Sequence, residues 1–358
     1  MWGFTKTGGF AMFEKTVRLM EQALQNQVFP SAALAVGVRE KVLLSRCWGK
    51  TGLFGPADAI TPDTLYDMAS LSKVLGTTMA AFRLMEDGAL CLDSTVGDFF
   101  DAGADHRSIT IRQLMTHTSG IAAHFYLSDF TQDPADAARV ILERPLDYPT
   151  GSETVYSCMG YILLGKILEK ITGLALDQLV EKCVFQPLAM RKTTYHPAGS
   201  VACTERDPLT GRFLCGAVHD ENARFLGGIS GNAGIFSTLG DMVKFASMLA
   251  CEGRSRAGVY LTRPTMRAAT HNYTPGMAQN RGLGFQLAGS GSPFMGDLFG
   301  PGSFGHTGFT GTSLAVDPEN GLFVILLTNR VHPTRENVKL IRFRNLLHNC
   351  IAAEFSRF

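Results

Sequence analysis

The sequence predicts an α+β fold: an antiparallel sheet flanked by N- and C-terminal helices, with an inserted, mostly helical domain. Three observations carry this expectation. A pair of strand-like runs lies near the start of the 358-residue chain. A second pair lies near its end, and the text between them is patterned mainly as helix and loop.

Taken in order, Phe13, Val17, Met20, Leu24 and Val28 recur at helical spacing and Pro30 stops the run, so an amphipathic helix opens the fold. Residues 32–38 and 41–48 are apolar and rich in small or β-branched side chains, with Arg39-Glu40 between them, and read as a hairpin. Residues 49–63 hold Gly, Pro and Asp and read as loop. From 70 to 86 the period changes: Leu71, Leu75, Met79, Phe82 and Met85 fall near one helical face, and Gly88 supplies a stop. Short helices are expected over 110–116, 161–171 (stopped by Thr172-Gly173) and 174–184, and an extended loop over 197–223. Residues 241–249 return to helix. Residues 312–316 and 322–328 are strand-like, joined by the turn Asp317-Pro318-Glu319-Asn320-Gly321, and 338–355 form a closing helix. The expected division is an α/β domain from 13–65 and 225–358 and a helical insert over 66–224, with an active site at their junction.

Composition narrows the function classes. With 33 basic and 32 acidic residues and no basic run, nothing marks a nucleic-acid surface. No stretch approaches the roughly 20 apolar residues of a membrane span, and residues 1–12 lack the apolar core of a signal peptide, so a cytoplasmic protein is expected. The eight cysteines form no C-x-x-C pair, which argues against metal clusters and redox motifs. Scattered in apolar text, they are expected to be reduced and to act as small hydrophobes.

The chemistry centres on Ser70-Leu71-Ser72-Lys73. Residues three apart share a helix face, so Ser70 and Lys73 can stand side by side. A serine hydroxyl needs an adjacent base, and a lysine serves only if its surroundings lower its pKa; burial and a helix N-terminus would both act that way. Alone, the pattern is common by chance and reads more readily as a helix cap followed by a solvated lysine.

Further along come Tyr156-Ser157-Cys158 and His306-Thr307-Gly308. In this order the three elements resemble the signatures of the β-lactamase and penicillin-binding serine hydrolases, most closely the class C β-lactamase-like group of D-alanyl-D-alanine peptidases, esterases and muropeptide amidases. Residues 114–120 and 232–238 resemble the same group, and the likeness runs from about Phe29 to the C-terminus. It implies the β-lactamase/transpeptidase-like fold. Ser70 would be acylated, Lys73 would take its proton, and Tyr156 would relay protons beside both. Cys158, His306, Thr307 and Gly308 would line the substrate cleft. The backbone N–H groups of Ser70 and Phe309 would form the oxyanion hole. No cofactor is implied.

Two departures stand out. Cys158 replaces the usual Asn of the tyrosine motif, and His306 stands where a Lys is common. A cationic His306 would hold a substrate carboxylate below about pH 6.5. Asp207-Pro208 and Val218-His219-Asp220-Glu221-Asn222-Ala223 resemble a branch associated with muropeptide processing. There His219 and Asp220 would either contact substrate at the cleft rim or bond the long loop together; with no second ligand cluster, no metal is expected. His117 is expected to bond backbone.

The expected function is acyl transfer to water, on peptidoglycan fragments or D-amino-acid peptides. Small-ester hydrolysis or weak β-lactamase activity is the alternative within the class, and a non-hydrolytic penicillin sensor the alternative outside it. The expected partners are small-molecule or short-peptide substrates, with β-lactams as slow acylating ligands and neither nucleic acid nor membrane.

Overall fold

The computed structural model describes residues 12–208, 210–289 and 294–357. The N-terminal segment read above for a leader lies almost wholly outside the described residues. Helix α1 (Glu14–Gln25) leads into strands β1 (Ser31–Val38) and β2 (Lys41–Gly49), the predicted hairpin. The two-residue strand β3 (Tyr66–Asp67) then delivers the chain to Ser70. The predicted helix after Ser70 opens as a wide π-helical segment, Lys73–Thr78, and tightens into α2 (Met79–Glu86).

Helices α3 (Ile111–Met115), α4 (Ala137–Glu143), α5 (Cys158–Thr172) and α6 (Leu176–Val180) follow, then the long loop and the short helix α7 (Glu221–Phe225). The chain returns through β4 (Phe236–Ser237), α8 (Leu239–Ala250) and α9 (Arg263–Thr270). Strands β5 (Gln286–Leu287), β6 (Phe304–Thr307), β7 (Ser313–Asp317) and β8 (Leu322–Thr328) and the helix α10 (Lys339–Phe355) close the fold.

The main sheet runs β2-β1-β8-β7-β6-β5, antiparallel throughout. Its central strands are apolar on both faces because both are covered. Ala32, Leu34, Val36, Leu322, Val324 and Leu326 pack with Met20 of α1 and Leu340, Phe343 and Leu347 of α10. The alternate residues Ala33, Ala35, Phe323, Ile325 and Leu327 join the larger core shared with the middle helices. The terminal helices are also tied by charge: Glu354 of α10 accepts from the backbone N–H groups of Lys15 and Thr16 and from the Thr16 hydroxyl, satisfying orphan donors of the first turn of α1.

The middle helices follow their caps. Thr110 and Gln113 form a capping box at α3. Ser157 caps α5 by accepting from Gly160 N–H, and Gly173 ends it in the left-handed region at φ 70°. The caps of α5 matter for the site, because Tyr156 and Cys158 flank the capping serine.

One expectation is corrected. Cys203 and Cys215 form a disulfide within the long loop. The loop is not featureless: Thr204 N–H bonds Leu214 O, Leu214 N–H bonds Glu205 O, and Arg206 pairs with Phe213. This narrow hairpin brings the two cysteines together, which their spacing in sequence does not announce. The other six remain free, five of them half-buried and Cys91 exposed.

Candidate active site

The turn before Ser70 is held from three sides. Ala69 adopts φ 46°, a left-handed conformation that non-glycine residues rarely take. The buried Asp67 carboxylate fixes it by accepting from Ala69 N–H at 2.8 Å and from His219 N–H at 2.7 Å. From the other side Thr310 Oγ1 donates to Asp67 O and Thr312 Oγ1 to Met68 O. A Cβ at Gly308 would lie 2.1 Å from Thr312 Oγ1 and 2.5 Å from Met68 O, so only glycine lets the His306-Thr307-Gly308 segment lie this close to the turn. The first and third sequence elements are thus one packed unit.

Lys73 is fully buried and its Nζ donates to Ser70 Oγ (3.0 Å), Cys158 Sγ (3.4 Å) and Asn232 O (3.0 Å). Three acceptors around one nitrogen suit the three donors of an ammonium. Burial works against that charge, but the Cys158 sulfur and the Tyr156 oxygen beside it work for it, and the net direction is a raised pKa. This reverses the sequence expectation, which weighed burial without the acceptors. Tyr156 is pushed up by burial, while Lys73 draws it down; the favoured resting state is ammonium and phenol. Lys73 Nζ stands 4.9 Å from the Tyr156 ring centroid, and the Tyr156 hydroxyl is buried without a hydrogen-bond partner. Ser72, by contrast, accepts from Ile235 N–H and is wholly buried, so it is a packing residue.

The backbone N–H groups of Ser70 and Phe309 have no partner among the described residues. A cavity of about 430 Å³ opens beside Ser70, lined also by Tyr156, His306, Thr307, Gly308 and Phe309. Cys158 does not line this cavity; it reaches the site through Lys73.

His306 is corrected in its charge. Its Nδ1 lies 2.8 Å from Thr307 O and must donate to it, leaving Nε2 buried and unpartnered. Burial first, then Arg281 and Lys73, push its pKa well below the ordinary value, so it is neutral at pH 7. A permanent cation beside it is Arg281, a buried side chain on the cavity wall held by Gln279 Oε1. His117 does bond backbone: Ser157 N–H donates to its Nδ1 at 3.1 Å, and its carbonyl accepts from Val155 N–H. It thereby brackets Tyr156 on both sides.

His219 and Asp220 both make bonds that hold their loop. The His219 ring is buried, bonds Glu205 at 3.0 Å and stacks on Phe309 at 5.5 Å. The Asp220 carboxylate caps α7 by accepting from Ala223 N–H. Glu205 also binds Arg335, which binds Glu221 in turn. The His219 ring stands behind Phe309, which is 49% exposed and lines the cavity.

The profile of the beta-lactamase family matches residues 16–349. The chain belongs to the beta-lactamase family. A protein of Escherichia coli (strain K12) named "Putative D-alanyl-D-alanine carboxypeptidase" is 30% identical over 359 aligned residues, covering 87% of this chain and 82% of its own. Among solved structures, EstCE1, described as a hydrolase with promiscuous acyltransferase activity, superposes with TM-score 0.73 at 21% identity, over 94% of this chain and 99% of its own. The octameric penicillin-binding protein homologue from Pyrococcus abyssi does so with TM-score 0.71 at 20% identity, over 93% and 77%. These two likenesses establish the β-lactamase/transpeptidase-like fold.

Within this beta-lactamase-family site, sequence reasoning missed Asn232 and Arg281. Asn232 lay in a stretch already noted for its family likeness, but its contribution is a carbonyl, which residue type does not signal. Arg281 sits in text with no motif, and only the fold carries it to the cavity.

Proposed function

We propose that the protein is a serine hydrolase that forms an acyl-enzyme on Ser70 and cleaves amides of D-amino-acid peptides or peptidoglycan fragments. The carrying observation is the 3.0 Å contact between Lys73 Nζ and Ser70 Oγ at the mouth of the cavity. Ser70 Oγ attacks the carbonyl carbon, and its proton passes to the Lys73–Tyr156 pair in the molecules where Lys73 is neutral. The unengaged N–H groups of Ser70 and Phe309 receive the oxyanion, each such donor being worth roughly 3 kcal/mol of barrier. The unpartnered Tyr156 hydroxyl protonates the leaving group, and water then attacks the acyl-enzyme by the reverse route.

Arg281 is the group suited to the carboxylate of a peptide substrate, since His306 is neutral. The name carried by the Escherichia coli relative supports the peptide reading. Penicillins enter as slow acylating ligands, because Cys158 lacks the amide of an asparagine. The test is intact-mass measurement after exposure to a fluorophosphonate and, separately, a penicillin. A stoichiometric adduct on Ser70 from the first and a slowly decaying adduct from the second are expected. An unlabelled Ser70 with a folded protein sinks the proposal, and a penicillin adduct with no turnover of any ester or peptide favours a sensor.

A further inference from the structure

The cavity beside Ser70 extends to the closing helix α10, where Arg344, Asn345, Leu340 and Ile341 line it together with Arg330. No Asp or Glu lines it among the described residues. Arg344 is 7% exposed and among the described residues its side chain forms no ion pair and one hydrogen bond, to Thr312 O, long at 3.4 Å, with its Nε buried without a partner. Arg330 is also 7% exposed, donates only to the carbonyls of Arg335 and Asn337, and lays its guanidinium on the Phe309 ring at 4.7 Å. Asn345 Oδ1 is buried and unpartnered; exchanging the two ends of its amide turns that orphan into a donor.

A buried arginine without a carboxylate is costly, and a buried charge normally has a partner; Arg330 feels the charge of Glu205, but no carboxylate acts on Arg344. This chain does supply partners nearby: Arg335, more exposed than either, is bound by Glu205 at 2.6 Å and Glu221 at 2.8 Å. The missing counter-charge at Arg344 therefore belongs to a ligand. We infer that Arg344, Arg330 and Asn345 form a second anion subsite, so that the substrate carries two anionic groups, one for Arg281 and one for this far wall. The inference rests on the proposed hydrolase reading only for where the reacting bond lies. The apolar rim of Leu340, Ile341 and Phe309 suits the carbon chain between the charges. The anion is a carboxylate or a phosphate, which guanidinium groups bind through the same paired donors.

Binding and turnover test it separately. The purified protein is titrated calorimetrically with linear dicarboxylates from glutarate to suberate, with matched monocarboxylates, and with phosphono-carboxylates of the same lengths. At least one doubly charged ligand should bind roughly 10- to 100-fold more tightly than its singly charged match, the range of one charge-assisted contact. That gap should close in Arg344→Met and survive in part in Arg344→Lys. A preference for phosphonate or carboxylate identifies the anion. The ratio of kcat/KM for a doubly anionic over a neutral activated ester should fall by the same factor in Arg344→Met. Equal binding of singly and doubly charged ligands by the unmodified protein overturns the subsite, as does an unchanged gap in an Arg344→Met variant with native melting. A diacid preference in a protein whose Ser70 resists fluorophosphonate would leave the subsite standing and remove the hydrolase.

Discussion

Phe309 separates two polar clusters of opposite character. Behind it, Asp67, His219, Glu205, Arg335 and Glu221 form a chain of hydrogen bonds and ion pairs. In front of it, His306 Nε2 and Arg344 Nε are buried without hydrogen-bond partners among the described residues, and Tyr156 Oη, beside Lys73 and Ser70, makes no hydrogen bond of good geometry. Buried polar groups are nearly always satisfied, so a concentration of orphans marks where something else binds. On the function proposed above, the saturated side holds the turn and rim in place, and the unsatisfied side faces substrate. Substitutions should therefore divide: stability falls behind Phe309, turnover in front of it.

The sharpest break is at Ser70. Ser70→Ala should lower turnover of an activated ester by roughly 10³-fold or more, Lys73→Met nearly as much, and the double variant little further, as for groups that act as a unit. Melting temperature should change little for Ser70→Ala. If Ser72→Ala were instead the inactive variant, the register of the site would be wrong.

Acidity gives the next effect. With Lys73 held protonated, the reactive fraction of molecules grows about tenfold per pH unit below its pKa. The kcat/KM for a neutral ester should therefore still be rising at pH 9. The preference for a carboxylate-bearing ester over a neutral one should stay flat from pH 6.5 to 9, because Arg281 keeps its charge and His306 stays neutral throughout. A rate plateau by pH 7 would show that Lys73 is depressed after all. A preference fading through pH 6.5 would return the carboxylate to His306.

These two tests meet different limits of the sequence. The fold was largely legible because its signals are local: the 32–48 hairpin, the 322–328 strand and the closing helix each declare themselves in apolar period and turn residues. That Ser70, Lys73 and Tyr156 would stand together was legible because short elements of the chain occur in a fixed order. Charge states were not. His306 is neutral because the fold buries it and sets Arg281, from unrelated text, beside it, and Lys73 is protonated because three separate segments converge on it. The 203–215 disulfide depends on a loop hairpin with no apolar period, so it left no trace either.

Behind Phe309 the effect should be on folding. Glu205 accepts from His219 and from Arg335 through both backbone and side chain. Burial raises its pKa, but those bonds outweigh it and the net direction is down. A depressed carboxylate contributes stability above its unfolded pKa and loses it as pH falls through the folded value, so this contribution should fade below about pH 4.3. Glu205→Gln should cost about 2 kcal/mol at pH 7, read by urea unfolding, for the loss of charge-assisted bonds. The penalty should shrink toward pH 3. A native unfolding midpoint with lost activity would place Glu205 in the chemistry and erase the division at Phe309.

The smallest effect is expected at Cys158, where the two clusters' logic meets the family pattern. Its sulfur accepts from Lys73 Nζ at 3.4 Å and so occupies the place of a stronger acceptor. An asparagine there would offer an oxygen to Lys73 and two N–H donors to an acylamino side chain, whereas a thiol is a weak donor and acceptor. One neutral hydrogen bond is worth about 0.5–1.5 kcal/mol, and 1.36 kcal/mol is tenfold in rate. Cys158→Asn should therefore speed acylation by penicillin about two- to tenfold, followed by intact mass over time. Hydrolysis of a small neutral ester, which has no acylamino group, should change less. Cys158 does not itself line the cavity, so the same comparison reads whether the longer amide reaches the cleft. An equal change for ester and penicillin would mean that Cys158 acts only through Lys73. Rapid penicillin turnover by the unmodified protein would show that the thiol is no handicap and that β-lactam hydrolysis is the better reading.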